Sequence, residues 1–183
     1  MSLAKIRIAA RLLAVATLAA LTAGCFQPMY AEHSDGSPGL REKLQGVELP
    51  PVDKPNASRE ARIGVAIRNA LAFKLYGEAT GMPPTHRLVL KFSTNRSSLL
   101  VSQTTGLPTT EDVGVDAQFN LIEIATNKSV MTGTTFARTS YDMPGSYQRF
   151  ARERAFRDAE DRAAEQIAEN IQTRLASFFF AGT

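Results

Sequence analysis

Cysteine is nearly absent: Cys25 is the only one in 183 residues. No disulfide can form within the chain, so an apolar core must hold it together. Long hydrophobic runs are missing too. The most apolar stretch, Leu12 to Leu21, is about half of what a bilayer-crossing helix needs, and no second run follows it. Histidine occurs twice, and neither His33 nor His86 has a His, Cys or carboxylate nearby at metal-ligand spacing. There is no Gly-rich phosphate loop, no HExxH and no GxSxG, and no Ser or Thr sits in a motif that would supply it with a base. Neither a metal nor a cofactor is expected, and catalysis has no visible foothold. A surplus of positive charge is also missing once the leader is set aside. The chain carries +3, but removing Lys5, Arg7 and Arg11 takes the 21 basic residues to 18, equal to the 18 acidic ones. A neutral domain lacks the electrostatic footprint of a nucleic-acid binder.

What is present begins with an address. Lys5, Arg7 and Arg11 form a charged n-region, Leu12–Leu21 a short apolar h-region, and Thr22-Ala23-Gly24 supplies small residues for a peptidase groove. The segment Leu21-Thr22-Ala23-Gly24-Cys25 is similar to a bacterial lipobox, with Thr22 at the place that usually holds Leu. Residues 1–24 read as a lipoprotein signal peptide and Cys25 as the acylated new N-terminus. Residues 25–39, polar and ending in Gly and Pro, read as a tether. Residues 40–183 are one domain's worth of chain.

Within that domain Leu44, Val47 and Leu49 mark a short strand ended by Pro50-Pro51. Ser58 is placed as an N-cap, with Ile63, Ala66, Ile67, Ala70 and Leu71 recurring at helical spacing up to Tyr76-Gly77. Leu88 to Phe92 open a strand, with Leu99–Gln103 as its candidate continuation past the polar stretch Ser93–Ser98. Val113, Val115, Ala117, Phe119 and Leu121 alternate at period two, and Val130–Tyr141 returns after a turn at Asn127-Lys128. A long helix, about Tyr147 to Phe178, closes the chain. The expected fold is α+β: a four-stranded, largely antiparallel sheet with two helices packed on one face, in the order β-α-β-β-β-α.

The charges of the last helix hold the most chemistry. Arg149, Arg152, Arg154 and Arg157 crowd its first turns with only Glu153 among them, against the preference of a helix N-terminus for negative charge. Ladder pairing at i,i+4 (Arg149–Glu153, Arg154–Asp158, Arg157–Asp161, Asp158–Arg162) is one account. A basic end that receives an anion is the other. The adjacent carboxylates Glu111-Asp112 and Glu160-Asp161 diverge on a strand and on a helix and should not converge on one atom. Glu160 nonetheless falls on the apolar stripe, where it needs a partner, and Arg157 is the candidate within the helix. The closing Phe178-Phe179-Phe180 reads either as a last core contact or as an exposed aromatic end.

Taken together, Cys25 with Phe26-Gln27-Pro28-Met29-Tyr30, the order of elements, Arg138-Thr139-Ser140-Tyr141-Asp142, and Arg157 to Ala164 with Ile167, Ile171 and Leu175 resemble the lipopolysaccharide-assembly lipoprotein (LptE) family. The resemblance implies a non-enzymatic, palmitate-bearing lipoprotein of the Gram-negative outer membrane, facing the periplasm or inside a barrel lumen. Its implied partners are the lipopolysaccharide-transport β-barrel (LptD-like), which it would plug and help to assemble, and lipopolysaccharide itself, with no nucleic acid. It implies binding residues before the last helix, here Arg149 and Arg152, and at the central hairpin tip. The tip Thr104–Thr110 has no basic residue, and Arg96 is the nearest substitute. Two other readings fit the anchor: an auxiliary lipoprotein of another envelope lipid-transport (ABC-type) machine, and an anchored hydrolase, which would need a convergent catalytic cluster.

Overall fold

The computed structural model describes residues 38–77, 83–143 and 148–181. The leader, Cys25, His33 and all but the end of the tether lie outside the described residues. The fold that follows belongs to the compact unit Leu40–Thr183.

Helix α1 (Leu40–Gln45) leads into the two-residue strand β1 (Val47–Glu48). Helix α2 (Arg59–Tyr76) follows, then the long strands β2 (His86–Val101), β3 (Pro108–Glu123) and β4 (Lys128–Asp142), and finally helix α3 (Arg149–Ala181). The sheet order is β1-β2-β3-β4, with β1 parallel to β2 and the other pairs antiparallel. The expected α+β architecture is present with one addition. Leu44, expected in a strand, lies in α1. It is buried together with Leu40, one helical turn earlier, so the pair satisfies a helix stripe and only Val47–Glu48 is left to join the sheet.

Local chemistry explains the boundaries. Ser58 caps α2 by accepting from the Ala61 amide at 3.0 Å, and Gly77 ends it in the left-handed region, donating to the Phe73 carbonyl. Asn127 adopts a φ of 53°, which an asparagine tolerates, and closes the β3–β4 turn between Glu123 and Lys128. The polar stretch Ser93–Ser98 does not interrupt β2, because each of its residues pairs with β3, from Ser93 opposite Asp116 to Ser98 opposite Glu111. Backbone pairing carries the strand past the end of its apolar face.

One sheet face supplies Leu88, Phe92, Val115, Ala117, Phe119, Leu121 and Ala137 to the core. Against it lie Ile63, Ile67, Leu71 and Leu75 of α2 and Ile167, Ile171, Leu175 and Phe179 of α3. Gly64 lets α2 come close: a Cβ there would stand 3.2 Å from Val52 Cβ and 3.3 Å from the Phe92 ring. Gly133 does the same on β4, where the Phe119 ring occupies the space a side chain would take. The other sheet face, with Lys91, Gln118 and Thr134, is exposed.

Helix α3 runs antiparallel to β4. Phe156 meets Tyr141, the Thr139 hydroxyl donates to the Ala159 carbonyl at 2.7 Å, Asn170 reaches Thr135, and Phe179 meets His86 of β2. The N-terminal turns of α3 therefore sit at the end of the sheet that carries the β2–β3 hairpin tip.

A basic end organised around Phe156

Phe156 is the centre of that end. Its buried ring lies 5.5 Å from the Tyr141 ring, and two guanidinium groups stand over it: Arg59 of α2 at 4.3 Å and Arg96 of β2 at 5.0 Å. A ring face carries negative potential, so it favours both cations.

Each of these cations is also held by a buried carboxylate. Glu160, only 1% exposed, accepts from Arg59 and from Arg62, and Arg62 extends a second nitrogen to Asp161 at 2.7 Å. Hydrogen bonds to the two carboxylates raise the Arg62 pKa, although burial, the largest single influence, pulls it the other way. Glu111 pairs with Arg96 at 2.8 Å and accepts the Tyr141 hydroxyl. Burial first, and the Glu111 bond second, push the Tyr141 phenol up to about 12, while Arg96 and Arg152 nearby pull it back. Every buried side-chain polar atom among the described residues has a partner, as buried polar groups require.

The structure thus gives Glu160 partners that the sequence reading did not name. Arg157 turns to Glu153 at 3.2 Å, and Glu160 faces α2 instead. Of the four ladder pairs, Asp158–Arg162 forms, at 2.9 Å, while Asp161 is taken by Arg62. The adjacent carboxylates separate as strand and helix geometry demand. Glu111 is buried under the helices whereas Asp112 bonds Ser97 on the other side, and only the breadth of the Arg62 guanidinium spans Glu160 and Asp161.

What remains is a set of uncompensated cations. Among the described residues no carboxylate lies within ion-pair distance of Arg149, Arg152 or Arg154. Arg149 and Arg152 share the helical stripe of Phe156 and so belong to the same side of α3. Arg154 diverges from it. Arg96, the third residue suggested from sequence, is engaged by Glu111 and the Phe156 ring but keeps an exposed side. Arg59 and Arg62 were missed, because nothing in the first turn of α2 signals a carboxylate 98 to 101 residues away. A groove of about 580 Å3 opens beside the cluster, between Ser58, Arg62 and Val65 of one helix and Glu153, Phe156 and Arg157 of the other.

His86 lies at the opposite end. Its Nδ1 is 2.9 Å from the Thr85 hydroxyl and its ring meets Phe179 edge-on; burial lowers its pKa, and Glu123 opposes that shift. No group of three or more His, Cys, Asp or Glu is poised to hold a metal among the described residues, and none of their helices is long and apolar enough to cross a membrane.

The fold and its basic end define a small α+β domain with arginines at the start of its last helix that no carboxylate among the described residues pairs. Comparison with known proteins makes this particular. The family model for lipopolysaccharide assembly, LptE, matches residues 44–175, and the chain belongs to that family. Solved structures share the fold. A putative lipoprotein from Caulobacter crescentus CB15 aligns with a TM-score of 0.60 at 21% identity, covering 79% of this chain and 97% of that one. The rare lipoprotein B of Shewanella oneidensis aligns at 0.50 and 17% identity, covering 72% and 93%. A lipoprotein B of Nitrosomonas europaea aligns at 0.53 and 11% identity, covering 74% and 83%. Among curated protein sequences none matches.

Proposed function

We propose that this protein is an outer-membrane lipoprotein that plugs and helps to assemble the lipopolysaccharide-exporting β-barrel (LptD-like) and binds lipopolysaccharide during its transport. Membership of the lipopolysaccharide-assembly family supports the setting. Cys25 would carry the acyl anchor, whose two chains at about 0.8 kcal/mol per buried CH2 suffice for stable attachment without a spanning helix. The role is binding and assembly, not catalysis.

The observation that carries the binding assignment is the free charge of Arg149 and Arg152. The other cations around Phe156 already have carboxylates, so an incoming phosphate would compete with Glu160 or Glu111 for them. At Arg149 and Arg152 it meets no competitor, and the positive end of the α3 dipole adds to the attraction. Guanidinium forks suit the phosphates of lipid A through paired, charge-assisted hydrogen bonds. Arg96 is the secondary contact, reached from its exposed side.

Charge reversal tests this. Arg149→Glu with Arg152→Glu is expected to lower affinity for lipopolysaccharide by about tenfold or more, the weight of one charge-assisted hydrogen bond. Circular dichroism should stay unchanged, and dephosphorylated lipid A should bind the parent and the variant alike. Equal affinity of the two proteins for intact lipopolysaccharide would overturn the assignment. Gentle detergent extraction of the tagged full chain tests the partner: recovery of an inner-membrane transporter in place of an outer-membrane barrel would favour the auxiliary role in another lipid-transport machine.

A further inference from the structure

The solvent-facing side of the sheet is divided into two halves that treat their polar groups differently. Toward the hairpin tip these groups bond one another. Asn95 and Arg138 both close on Asp116, at 3.1 and 3.0 Å, Ser97 bonds Asp112, and Thr110 donates to Asp142. Gly114 leaves room for the first of these, since a side chain there would collide with Asn95 and Arg138. One row beyond Asp116 the pattern stops. Lys91, Gln118 and Thr134 lie opposite one another across β2, β3 and β4, and none of the three side chains has a hydrogen bond or ion pair among the described residues. Ser93 and Thr132, in the neighbouring rows, are equally free.

This free row is the floor of a hollow. Cavities of about 370 and 600 Å3 adjoin there and share Lys91, Gln118 and Thr134. Phe136, 65% exposed, bounds one end, with the Arg138 guanidinium 5.7 Å from its ring centre, and Val89 and Ile122 bound the other.

We propose that the hollow is a saccharide site whose occupant is the sugar chain of lipopolysaccharide; the source of the sugar rests on the lipopolysaccharide-binding role proposed above. Hydroxyls, an amide and an ammonium offer both donors and acceptors, which a polyhydroxyl chain can use and an acyl chain cannot. The faces of a sugar ring are lined by C–H groups, and these suit the negative face of Phe136. Asp116 is neutralised by Arg138, so Lys91 is the one unopposed charge of the hollow among the described residues. It favours a sugar that bears a carboxylate or phosphate. From the Val89 row to the Ser93 row the floor runs about 13 Å along β2, room for a short run of sugar rings. A barrel wall would not fill this space. A barrel encloses its plug, so its wall is concave toward the domain, and a hollow set against a concave wall leaves a gap. The unbonded polar groups that face the gap need a polar occupant.

Phe136→Trp keeps an aromatic ring at the end of the hollow and, in a chain without tryptophan, is a single fluorescent reporter. The probe is the core oligosaccharide freed from lipopolysaccharide by mild acid and purified away from lipid A. Added to the full-chain variant, it should change the indole emission saturably. Lys91→Ala with Gln118→Ala in that background should raise the half-saturating concentration several-fold with circular dichroism unchanged. Arg149→Glu with Arg152→Glu should leave it unmoved. Emission that does not respond to the oligosaccharide, or a response that Lys91→Ala with Gln118→Ala does not weaken, would overturn the inference. So would a stronger response to a peptidoglycan disaccharide. Loss of the copurifying barrel from the Lys91 and Gln118 variant would also overturn it, by making the face a wall contact. The arginine assignment is read from phosphate-dependent affinity for intact lipopolysaccharide, so either assignment can fail alone.

Discussion

The two ends of α3 are built on opposite principles. At its C-terminal end Ile171, Leu175 and Phe179 are buried among apolar neighbours, and Lys43 donates to the Phe179 carbonyl at 3.3 Å. At its N-terminal end a single ring, Phe156, is surrounded by guanidinium groups and buried carboxylates. The first arrangement is non-directional and gains from area removed from water. The second is directional, and its ion pairs offset much of their attraction by desolvation. One end anchors the helix and the other holds charged groups in defined positions, and the uncompensated arginines extend from the second.

Substitutions can break this contrast in graded steps. Removing both Arg59 and Arg62 as Ala leaves Glu160 buried without a partner and should cost about 3–5 kcal/mol in denaturant unfolding. Ile171→Ala at the apolar end should cost about 2–5 kcal/mol through the cavity it leaves. Glu160→Gln should cost only about 1–3 kcal/mol, because the two arginines are partly exposed and can return to water. A loss for Glu160→Gln equal to that of the double arginine variant would mean that the carboxylate's burial is not what makes the cluster directional. Arg149→Glu with Arg152→Glu should leave unfolding within about 0.5 kcal/mol of the parent, since both lie outside the paired network.

The smallest effects are protonic and distinguish the ends by pH. His86 has its pKa lowered from 6.5, so the stability it supports is complete above 6.5 and declines as the pH falls through that value toward the folded-state pKa. His86→Gln should remove that dependence at the apolar end. Tyr141 is raised from 10.0 to about 12, so its contribution is complete below 10 and is lost as pH rises through about 12. Tyr141→Phe should shrink the alkaline step to the part left by Tyr76, whose phenol burial also raises, and an alkaline step unchanged by that substitution would detach Tyr141 from the cluster.

Much of the fold was legible in the sequence because it rests on periodicity. The alternation Val113-Val115-Ala117-Phe119-Leu121 dictates one buried face of β3, and the spacing of Ile63, Ile67 and Leu71 dictates one buried stripe of α2. Ser58 and Asn127 read correctly because capping and left-handed turns depend on a residue's own side chain. Leu44 misread because three apolar residues cannot distinguish a short helix from a strand, and Leu40 decided it by packing one turn away. Phe178-Phe179-Phe180 resolved only through contact: Phe179 is core, while Phe180 is exposed.

The candidate site was legible only in part, for a physical reason. That arginines gather at the start of α3 is a statement about neighbours along the chain, and the sequence alone determines it. Which of them are free depends on where carboxylates from other elements arrive. Glu160 draws Arg59 and Arg62 from α2, and Glu111 draws Arg96 across the sheet. Those pairings exist only because α2 and α3 pack side by side over a sheet whose strands run past the core. Composition, periodicity and capping settled the elements, since each is a local property of the chain. Only the tertiary structure could separate the arginines that hold the fold from those left facing solvent, since ion pairing acts through space and not along the sequence.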